Sequence, residues 1–424
     1  MTQRRSVPPA AVLLAIVAAL IPAGSWAAPV PAYSVFELEV RNNFTGAFNL
    51  PDGAFFSSST IDVGDGREVA IKIGVLTGLD ARSVWFGAGG AGSIVYTTPI
   101  GAFISDVSIN RAGRVVFEQV FSTPSGLYVY DPVAMSTTLV TNLPLGASGW
   151  GSPSINFYGA IGFRADFNGG HAYASWAGGT PAIHATEVTI DLGSLYSFLF
   201  TPAFNDRRQI AAKVRLGAAG QTGNERPDQI RIFAADGSSV LVVEDHDSNP
   251  TSPYAGFDNS VALTNRGRVA FIATLVAGGR GVYLWDGGTV IEIAREAVGD
   301  VGQVEFFGPA ANDYPLVVFR GRNAAGLQTI FAGDGSALQP VIHEHDLIPT
   351  DLGTARIDQH DASPVFGGGV AINVFNDVGF TATLTPPDDN QVEWGTGAFV
   401  AKGNGIFFDG FEDGTLAAWS LAVP

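Results

Sequence analysis

The chain has 424 residues, a formal net charge of −17 and no cysteine. The lack of cysteine excludes disulfides, zinc–thiolate sites and cysteine nucleophiles, and the acidic balance argues against nucleic acid as a partner. Hydrophobic residues make up 46% of the chain, enough for one large repetitive core or for two to three ordinary domains.

Residues 1–27 have the three parts of a secretory signal peptide. Arg4 and Arg5 precede an apolar run over residues 10–21, and small residues occupy both positions of the cleavage site. The run is shorter than the ~20 residues of a membrane-spanning helix, and no second long apolar run follows. We therefore expect export to the periplasm, cell surface or exterior, with no transmembrane segment in the mature chain. An uncleaved anchor and a twin-arginine signal are the alternatives.

Seven copies of one pattern follow. Each copy is an apolar stretch, Asn or Thr, two residues, Gly, and a second apolar stretch that ends in Phe, most clearly over residues 107–117, 154–163 and 262–271. Three copies have Arg208, Pro315 and Asn376 in the Gly position, and the first, around Gly64-Asp-Gly66, is degenerate. The copies end at residues 71, 117, 163, 212, 271, 319 and 380. A period of about fifty residues indicates a repeat architecture.

Turn chemistry explains the pattern. Asn starts a type I turn through its side-chain oxygen, and Gly accepts the positive φ that returns the chain into a hairpin. The alternative is an Asn ligand in each copy. A second hairpin follows each copy, marked by Asp-Gly at 286–287, 236–237 and 334–335 and in looser form at 86–87, 130–131, 176–178 and 399–403. Each unit therefore holds four short antiparallel strands.

Seven such units predict an all-β fold, a seven-bladed β-propeller of four-stranded antiparallel blades over residues 28–405. An additional strand over residues 33–40 is predicted to pair into the last blade and latch the ring. An open β-solenoid or tandem small β domains are the alternatives, because a sequence does not show closure.

Over residues 59–403 these repeats resemble the NxxGxxAF tandem-repeat proteins, which are exported bacterial proteins. The resemblance implies export and a propeller-like fold, and it brings no activity or catalytic residue. Residues 406–424, with Asp-Gly-Phe-Glu-x-Gly and then Trp-Ser, resemble a short C-terminal tag of exported Gram-negative proteins. We interpret them as a sorting or processing signal, or alternatively as a closing strand on the last blade.

The histidines form one cluster, His343-Glu344-His345-Asp346. On a strand His343 and His345 would share a face, which suits a metal, so the predicted ligands are His343, His345 and Asp346. The alternative is a loop in which Asp caps turns. A similar segment at 244–247 (Glu-Asp-His-Asp) lies at the corresponding point of an earlier repeat, which argues against a unique catalytic site.

No cofactor is predicted from a sequence motif. Acidic exported proteins often bind Ca²⁺ through Asp-rich loops, and the carboxylates available for this are Asp62, Asp65, Asp388, Asp389, Asp409, Glu412 and Asp413. No stretch fits an EF-hand. Calcium binding is therefore a hypothesis without a motif.

No catalytic motif occurs either, and no catalytic residue is predicted. The leading hypothesis is a monomeric, non-enzymatic exported propeller that binds a glycan, small molecule or protein through long loops at 217–228, 248–257, 346–366 and 386–396. One alternative is a polysaccharide hydrolase or lyase with Asp, Glu and His facing the channel. Another is a structural component of the cell surface that is placed by the tag.

Overall fold

The structure is a computed structural model that describes residues 30–403 except 44–45, 52, 57–60, 77–79, 122–124, 142, 144–145 and 362. The predicted signal peptide and C-terminal tag lie outside these residues.

All regular elements of the described residues are β-strands, grouped here as an N-terminal strand and seven blades. They are β1 (Phe36–Asn42); in blade 1, β2 (Ala54–Phe56), β3 (Asp62–Val63), β4 (Val69–Leu76), β5 (Asp80–Ala88) and β6 (Ala91–Thr97); in blade 2, β7 (Phe103–Ile104), β8 (Ser108–Ile109), β9 (Val115–Val120), β10 (Gly126–Asp131) and β11 (Ser136–Leu139); in blade 3, β12 (Ala147–Ile155), β13 (Ile161–Phe167), β14 (Gly170–Trp176) and β15 (Ala182–Thr186); in blade 4, β16 (Tyr196–Leu199), β17 (Ala203–Phe204), β18 (Ile210–Leu216), β19 (Asp228–Phe233) and β20 (Ser239–Glu244); in blade 5, β21 (Tyr254–Phe257), β22 (Ala262–Leu263), β23 (Val269–Leu275), β24 (Arg280–Asp286) and β25 (Thr289–Arg295); in blade 6, β26 (Val301–Val304), β27 (Ala310–Ala311), β28 (Val317–Asn323), β29 (Gln328–Gly333) and β30 (Leu338–His343); and in blade 7, β31 (Leu347–Thr350), β32 (Gly353–Ile357), β33 (Phe366–Ile372), β34 (Val378–Thr385) and β35 (Gly395–Ala401).

Each blade is an antiparallel sheet of four strand positions, counted outward from the centre of the ring. The innermost position is broken into two short pieces in every blade except blade 3, where β12 is continuous with two register shifts. The predicted seven-bladed β-propeller of four-stranded blades is therefore confirmed.

The predicted latch is also present. β1 pairs antiparallel with β35, from Phe36 opposite Ala401 to Asn42 opposite Thr396, and so supplies the outer strand of blade 7. Arg41 on β1 is fully buried and donates two hydrogen bonds to the Asp351 carboxylate, both at 2.9 Å. The first and last described strands thus share one blade, which hides strand edges that a linear array would leave open.

Two expectations about blade 7 were wrong. The turn predicted at 399–403 does not lead into the outer strand of this blade, because β1 occupies that position beside β35. The segment 346–366, expected to be an irregular loop, contains the hairpin of β31 and β32, in which Thr350 lies opposite Gly353. Neither segment carries the Asp-Gly signal that identified the other hairpins, so local sequence did not reveal their pairing.

The seven residues that end the sequence copies form the core of the blades. Each is the third residue of the second strand of its blade and is at most 1% exposed: Ile71, Phe117, Phe163, Ala212, Phe271, Phe319 and Phe380. In four blades this residue stacks on an aromatic ring of the third strand, with ring centroids 5.3–5.8 Å apart. Offset stacked rings add attraction beyond the burial of their area.

Most turns after the inner strands have the predicted positive φ, and Pro315 in blade 6 does not. Gly113 and Gly159 have φ of 72° and 81°, and the deviating copies place Arg208 and Asn376 at the same point with φ of 57° and 64°. In the first copy the positive φ falls on Arg67, at 67°, rather than on Gly66. Non-glycine residues in this region carry a cost of roughly 1–2 kcal/mol, which the surrounding ring offsets.

The asparagine of each turn has a second role that its local sequence does not reveal. Its side-chain oxygen accepts backbone N–H groups of its own turn, as Asn110 Oδ1 does from Ala112 and Arg114, both at 3.0 Å; the exception is Asn312, whose Oδ1 makes no hydrogen bond among the described residues. Its side-chain amide then donates to the inner strand end of the next blade. These bonds run from Asn110 to the carbonyl of Asn156 (2.8 Å), from Asn156 to Asn205 (3.2 Å), from Asn205 to Thr264 (3.0 Å), from Asn312 to Asn373 (2.9 Å) and from Asn373 to Gly64 (3.1 Å).

Thr264 and Gly64 have no side-chain amide, and other groups join the blades there. Arg268 Nη1 donates to the Asp313 carbonyl at 2.9 Å between blades 5 and 6. The Asp62 carboxylate accepts the Ile109 N–H at 2.8 Å between blades 1 and 2. Every blade interface therefore has a side-chain hydrogen bond at the inner edge, and the ring is closed.

This ring of hydrogen bonds gives a test. Replacing Asn110 by Ala removes the bond to blade 3 together with two acceptors for turn N–H groups, so it is expected to lower the free energy of unfolding by about 2 kcal/mol. The matched control is Asn323→Ala, because Asn323 Oδ1 accepts the N–H groups of Ala325 and Leu327 in the same way but its turn makes no bond to another blade. The free energy of unfolding of the control is expected to fall by about 1 kcal/mol. Urea denaturation measures both, and equal losses would contradict an inter-blade role for Asn110.

Candidate functional site

The two faces of the ring differ in their connections. Because antiparallel strands reverse direction, the turns after the first and third strands lie on one face, called here the turn face, and the other connections lie on the opposite face, the loop face. The Asn-x-x-Gly and Asp-Gly turns are all on the turn face. The longer connections, including 217–227 and 245–253, are on the loop face.

At the turn face the inner strand ends surround a channel cavity of about 420 Å³. Arg111 of blade 2 reaches across its mouth, with Nε 2.8 Å from Asp65 of blade 1 and Nη2 3.7 Å from Asp313 of blade 6. Asp206 accepts the Phe157 N–H at 2.8 Å. The polar groups of this mouth are thus used to join blades to one another.

A second cavity, of about 550 Å³, opens on the loop face between blades 4, 5 and 6. It is formed by the loop-face ends of their inner and middle strands. Its lining includes Phe200, Lys213, Arg215, Asn224, Asp228, Asp245, Phe257, Asp258, Asn259, Ser260, Thr274, Arg280 and Phe306. We call it the inter-blade cavity.

Its floor in blade 4 is a buried ion cluster. Asp228 accepts hydrogen bonds from Arg215 Nε at 2.8 Å and Nη2 at 2.9 Å, and its Oδ2 lies 3.0 Å from Lys213 Nζ. Lys213 Nζ also donates to the Phe257 carbonyl of blade 5 at 2.9 Å. Both cations lie over the ring of Phe200, at 4.3 Å for Lys213 and 5.2 Å for Arg215. These contacts compensate the desolvation of three charges.

On the blade 5 side, Arg280 Nη2 donates to Asp258 Oδ2 at 2.6 Å. The guanidinium lies 3.6 Å from the ring centroid of Phe306, and that ring is 76% exposed. Arg280 Nε is buried and makes no hydrogen bond among the described residues. Phe306 therefore covers a buried cation and presents its other side to solvent.

Burial raises the pKa of two carboxylates of the cavity. Burial raises the pKa of Asp258, while Arg280 acts in the opposite direction. Burial also raises the pKa of Asp245, whose two oxygens accept the backbone N–H groups of Asp228 at 2.8 Å and Ser248 at 2.9 Å. Asp245 is therefore held as a backbone cap.

The position of Asp245 recurs, which sequence reasoning missed. Directly after the fourth strand, an acidic side chain accepts the N–H of the residue that starts the third strand: Asp245 from Asp228, Glu296 from Arg280 and Glu344 from Gln328. The signal available in the sequence was an acidic residue at this point of several copies. The backbone N–H that this side chain binds lies about sixteen residues earlier in the chain, and only the folded hairpin identifies it.

The structure separates the residues of the predicted metal site. β30 ends at His343, so His345 lies in the following turn with φ of 76° rather than on the same strand face. His343 Nδ1 is 3.1 Å from Asp346 Oδ1. His345 Nε2 faces Asp358 instead, at 3.7 Å. Metal binding by His343, His345 and Asp346 stays a prediction.

The carboxylates considered for calcium are dispersed. Asp62 and Asp65 take part in blade interfaces, and Asp389 Oδ1 accepts the Gln391 N–H at 2.9 Å. Residues 409–413 lie outside the described residues. Calcium binding also stays a prediction.

Within the described ranges, no helix is long and apolar enough to cross a membrane.

No protein-family model matches the sequence, and no curated protein matches it significantly. Among solved structures the chain is similar to virginiamycin B lyase from Staphylococcus aureus, with 13% identity and a TM-score of 0.47 over 87% of this chain and 99% of that chain. It is also similar to the β-propeller domain of the trilobed protease from Pyrococcus furiosus, with 13% identity and a TM-score of 0.37 over 69% and 97% of the two chains. A third is the fucose-specific lectin from Aleuria aurantia, with 10% identity and a TM-score of 0.38 over 67% and 93%. Such similarity concerns the fold alone, and the resemblance to NxxGxxAF proteins stays a prediction.

The pair of Arg280 and Asp258 gives a test of the cavity wall. Replacing Arg280 by Met leaves the Asp258 carboxylate without its cation and is expected to lower the free energy of unfolding by about 3 kcal/mol. The double variant with Asp258→Asn should recover much of that loss, which a double-mutant cycle in urea measures. Arg295→Met is the control, because the ion pair of Arg295 with Glu292 is on the surface. This variant should lower the free energy of unfolding much less than Arg280→Met does. An additive double variant would show that the two side chains are not coupled.

Proposed function

We propose that this chain is an exported, non-enzymatic binding protein that holds a neutral saccharide in the inter-blade cavity of its loop face. The observation that carries the proposal is the exposed ring of Phe306 beside side chains whose hydrogen-bonding groups are free. Pockets that bind small molecules combine an apolar surface with a few convergent polar groups. A saccharide needs both, because its C–H face packs on an aromatic ring while its hydroxyls need donors and acceptors.

The polar groups next to this ring are available. Asn259 accepts a hydrogen bond from Lys213 through Oδ1, at 3.3 Å, while its Nδ2 has no partner among the described residues. Ser260 and Thr274 line the same cavity and their hydroxyls make no hydrogen bond within the described part of the chain. These groups offer both donors and acceptors to a polyhydroxylated ligand.

The balance of charge favours a neutral ligand. Lys213 and Arg215 are paired with Asp228, Arg280 is paired with Asp258, and Asp245 lines the same cavity, so three basic side chains face three carboxyl groups. An anionic or cationic ligand would have to compete with these buried pairs. A neutral ligand leaves them intact.

A polysaccharide hydrolase is the second candidate, since Asp228, Asp245 and Asp258 converge on one cavity and burial raises the pKa of two of them. Glycoside cleavage normally needs two carboxylates in contact with substrate. Both oxygens of Asp228 face Arg215, and both oxygens of Asp245 accept backbone N–H groups. These bonds favour a binding role for the cavity. The further alternative of a surface component placed by residues 406–424 remains a hypothesis about that segment.

Substitution of Phe306 tests the binding site. Phe306→Ala removes an exposed ring and is expected to weaken saccharide binding about tenfold, because stacking on an aromatic ring contributes roughly 1 kcal/mol or more. A glycan array of neutral and acidic oligosaccharides identifies the ligand, and calorimetry with the strongest binder measures the loss.

The matched control is Phe307→Ala. Phe307 stacks in the same way on a buried arginine, with its ring centroid 3.8 Å from the Arg320 guanidinium, but does not line the inter-blade cavity. Binding should therefore be unchanged in this variant. An array without any bound glycan, or equal losses in the two variants, would count against the proposal.

Export has its own test. The proposal rests on the three-part segment of residues 1–27, so secretion should remove that segment and leave Ala28 as the first residue. N-terminal sequencing of the protein recovered from outside the cytoplasm checks this. Replacing the small residue Ala27 by a bulky one should block cleavage, and an unprocessed N-terminus in the unaltered chain would refute the assignment.

A further inference from the structure

Each of blades 5, 6 and 7 has a largely buried acidic residue at its inner strand, at the same register in blades 5 and 6 and two residues further along the second strand in blade 7. The residue is identified by its backbone N–H, which donates to the second strand of the blade: Asp258 to Ile272 at 3.1 Å, Glu305 to Arg320 at 3.0 Å and Asp358 to Thr383 at 3.3 Å. All three carboxylates are at most 15% exposed. A buried carboxylate requires a compensating partner.

Two of the three carboxylates have a buried arginine. Asp258 pairs with Arg280 at 2.6 Å, and Glu305 pairs with Arg320 at 2.8 Å. The two arginine side chains are 8% and 2% exposed. Asp358 in blade 7 has no such buried arginine among the described residues, and its ion pair is with the partly exposed Arg356.

Asp358 is the most deeply buried of the three side chains, at 7% exposed. Its Oδ1 accepts the Gln359 N–H at 2.8 Å, whereas its Oδ2 makes no hydrogen bond among the described residues. The nearest nitrogen atoms paired with this oxygen are Arg356 Nε at 3.3 Å and His345 Nε2 at 3.7 Å, both on side chains that are 31–41% exposed. One carboxylate oxygen is therefore directed, without a hydrogen bond, toward a histidine nitrogen.

Glu344 lies beside the same histidine. Its Oε2 accepts the Gln328 N–H at 3.0 Å, and its Oε1 lies 4.0 Å from His345 Nε2. The backbone of His345 is fixed by a bond from its N–H to the Ile357 carbonyl at 2.8 Å. One oxygen of each carboxylate is thus held by a backbone N–H, and a ligand atom from each of Glu344, His345 and Asp358 lies within 4.8 Å of the other two.

We propose that Glu344 Oε1, His345 Nε2 and Asp358 Oδ2 bind a divalent transition metal ion, with Zn²⁺ as the best fit. Zinc binds imidazole nitrogen and carboxylate oxygen at about 2.0–2.2 Å, so its ligand atoms lie roughly 3.4 Å apart. The observed 3.7 Å and 4.0 Å need only small side-chain rotations. Three protein ligands leave a fourth position for water.

This ligand set differs from the one predicted from sequence and does not depend on the proposed saccharide binding. The ion would join the turn between blades 6 and 7 to the inner strand of blade 7. Its charge would supply the compensation that arginine supplies to Asp258 and Glu305. Arg356 competes for the same oxygen, and its partly exposed side chain has room to turn into solvent.

The test is calorimetric titration of the full chain with ZnCl₂ at pH 7, after dialysis against a chelator. One strong site is expected. Asp358→Asn, Glu344→Gln and His345→Ala should each weaken it by at least tenfold, because even a substitution behind a metal ligand costs about 10–100-fold. Arg356→Gln removes the competing cation and should tighten binding. Asp358→Asn and Glu344→Gln keep the side-chain shape, and melting curves of the metal-free variants confirm that they fold.

His246→Ala is the matched control. His246 occupies the equivalent turn before blade 5, with its N–H bonded to the Tyr254 carbonyl at 2.7 Å, and belongs to no such group of ligands among the described residues. It should leave zinc binding unchanged. Loss of binding in His343→Ala but not in Asp358→Asn would overturn the proposal in favour of the sequence-derived ligands. The absence of a strong zinc site in the unaltered chain would overturn it as well.

Discussion

The structure depends on the inter-blade hydrogen bonds at the inner edge of the ring. Inner strands are short, and most are broken into two pieces. The asparagine side chain compensates for this by using its two ends differently: Oδ1 closes the turn of its own blade, and Nδ2 donates to the next blade. Because four of these bonds join residues 46 to 61 positions apart in sequence, and the fifth joins Asn373 to Gly64 over 309 positions, losing one removes a constraint on two blades at once.

This constraint assigns different roles to the two faces. On the turn face the asparagines, Arg111 and the carboxylates of Asp65, Asp206 and Asp313 are engaged with neighbouring blades. The loop face carries connections that no repeat pattern determines, and there free polar groups gather around Phe306. Rigid scaffolds commonly carry their function on such connections. The closed turn face therefore leaves the loop face as the surface on which ligands can be selected.

Buried charged side chains are the second feature of the loop face. Lysine and arginine side chains from the second and third strands enter the space between blades, where each meets a carboxylate and an aromatic ring. Such pairs contribute little net stability against well-packed apolar residues, but they are costly to break. They define the shape and the neutral charge of the inter-blade cavity. In blade 7 the buried Asp358 faces the partly exposed side chains of Arg356 and His345 instead of a buried arginine.

The sequence by itself determined the number of repeats, the two hairpin turns of each except the second one of blade 7, and the strand that latches blade 7. These follow from local chemistry, since turn residues and strand alternation act over a few positions. Only the tertiary structure decided that the ring closes, that Arg67 rather than Gly66 takes the positive φ, and that His345 faces Asp358 instead of sharing a strand with His343. The inter-blade cavity likewise joins residues of three blades. Contacts between residues tens of positions apart depend on how the blades pack around the ring, and no local pattern encodes that packing.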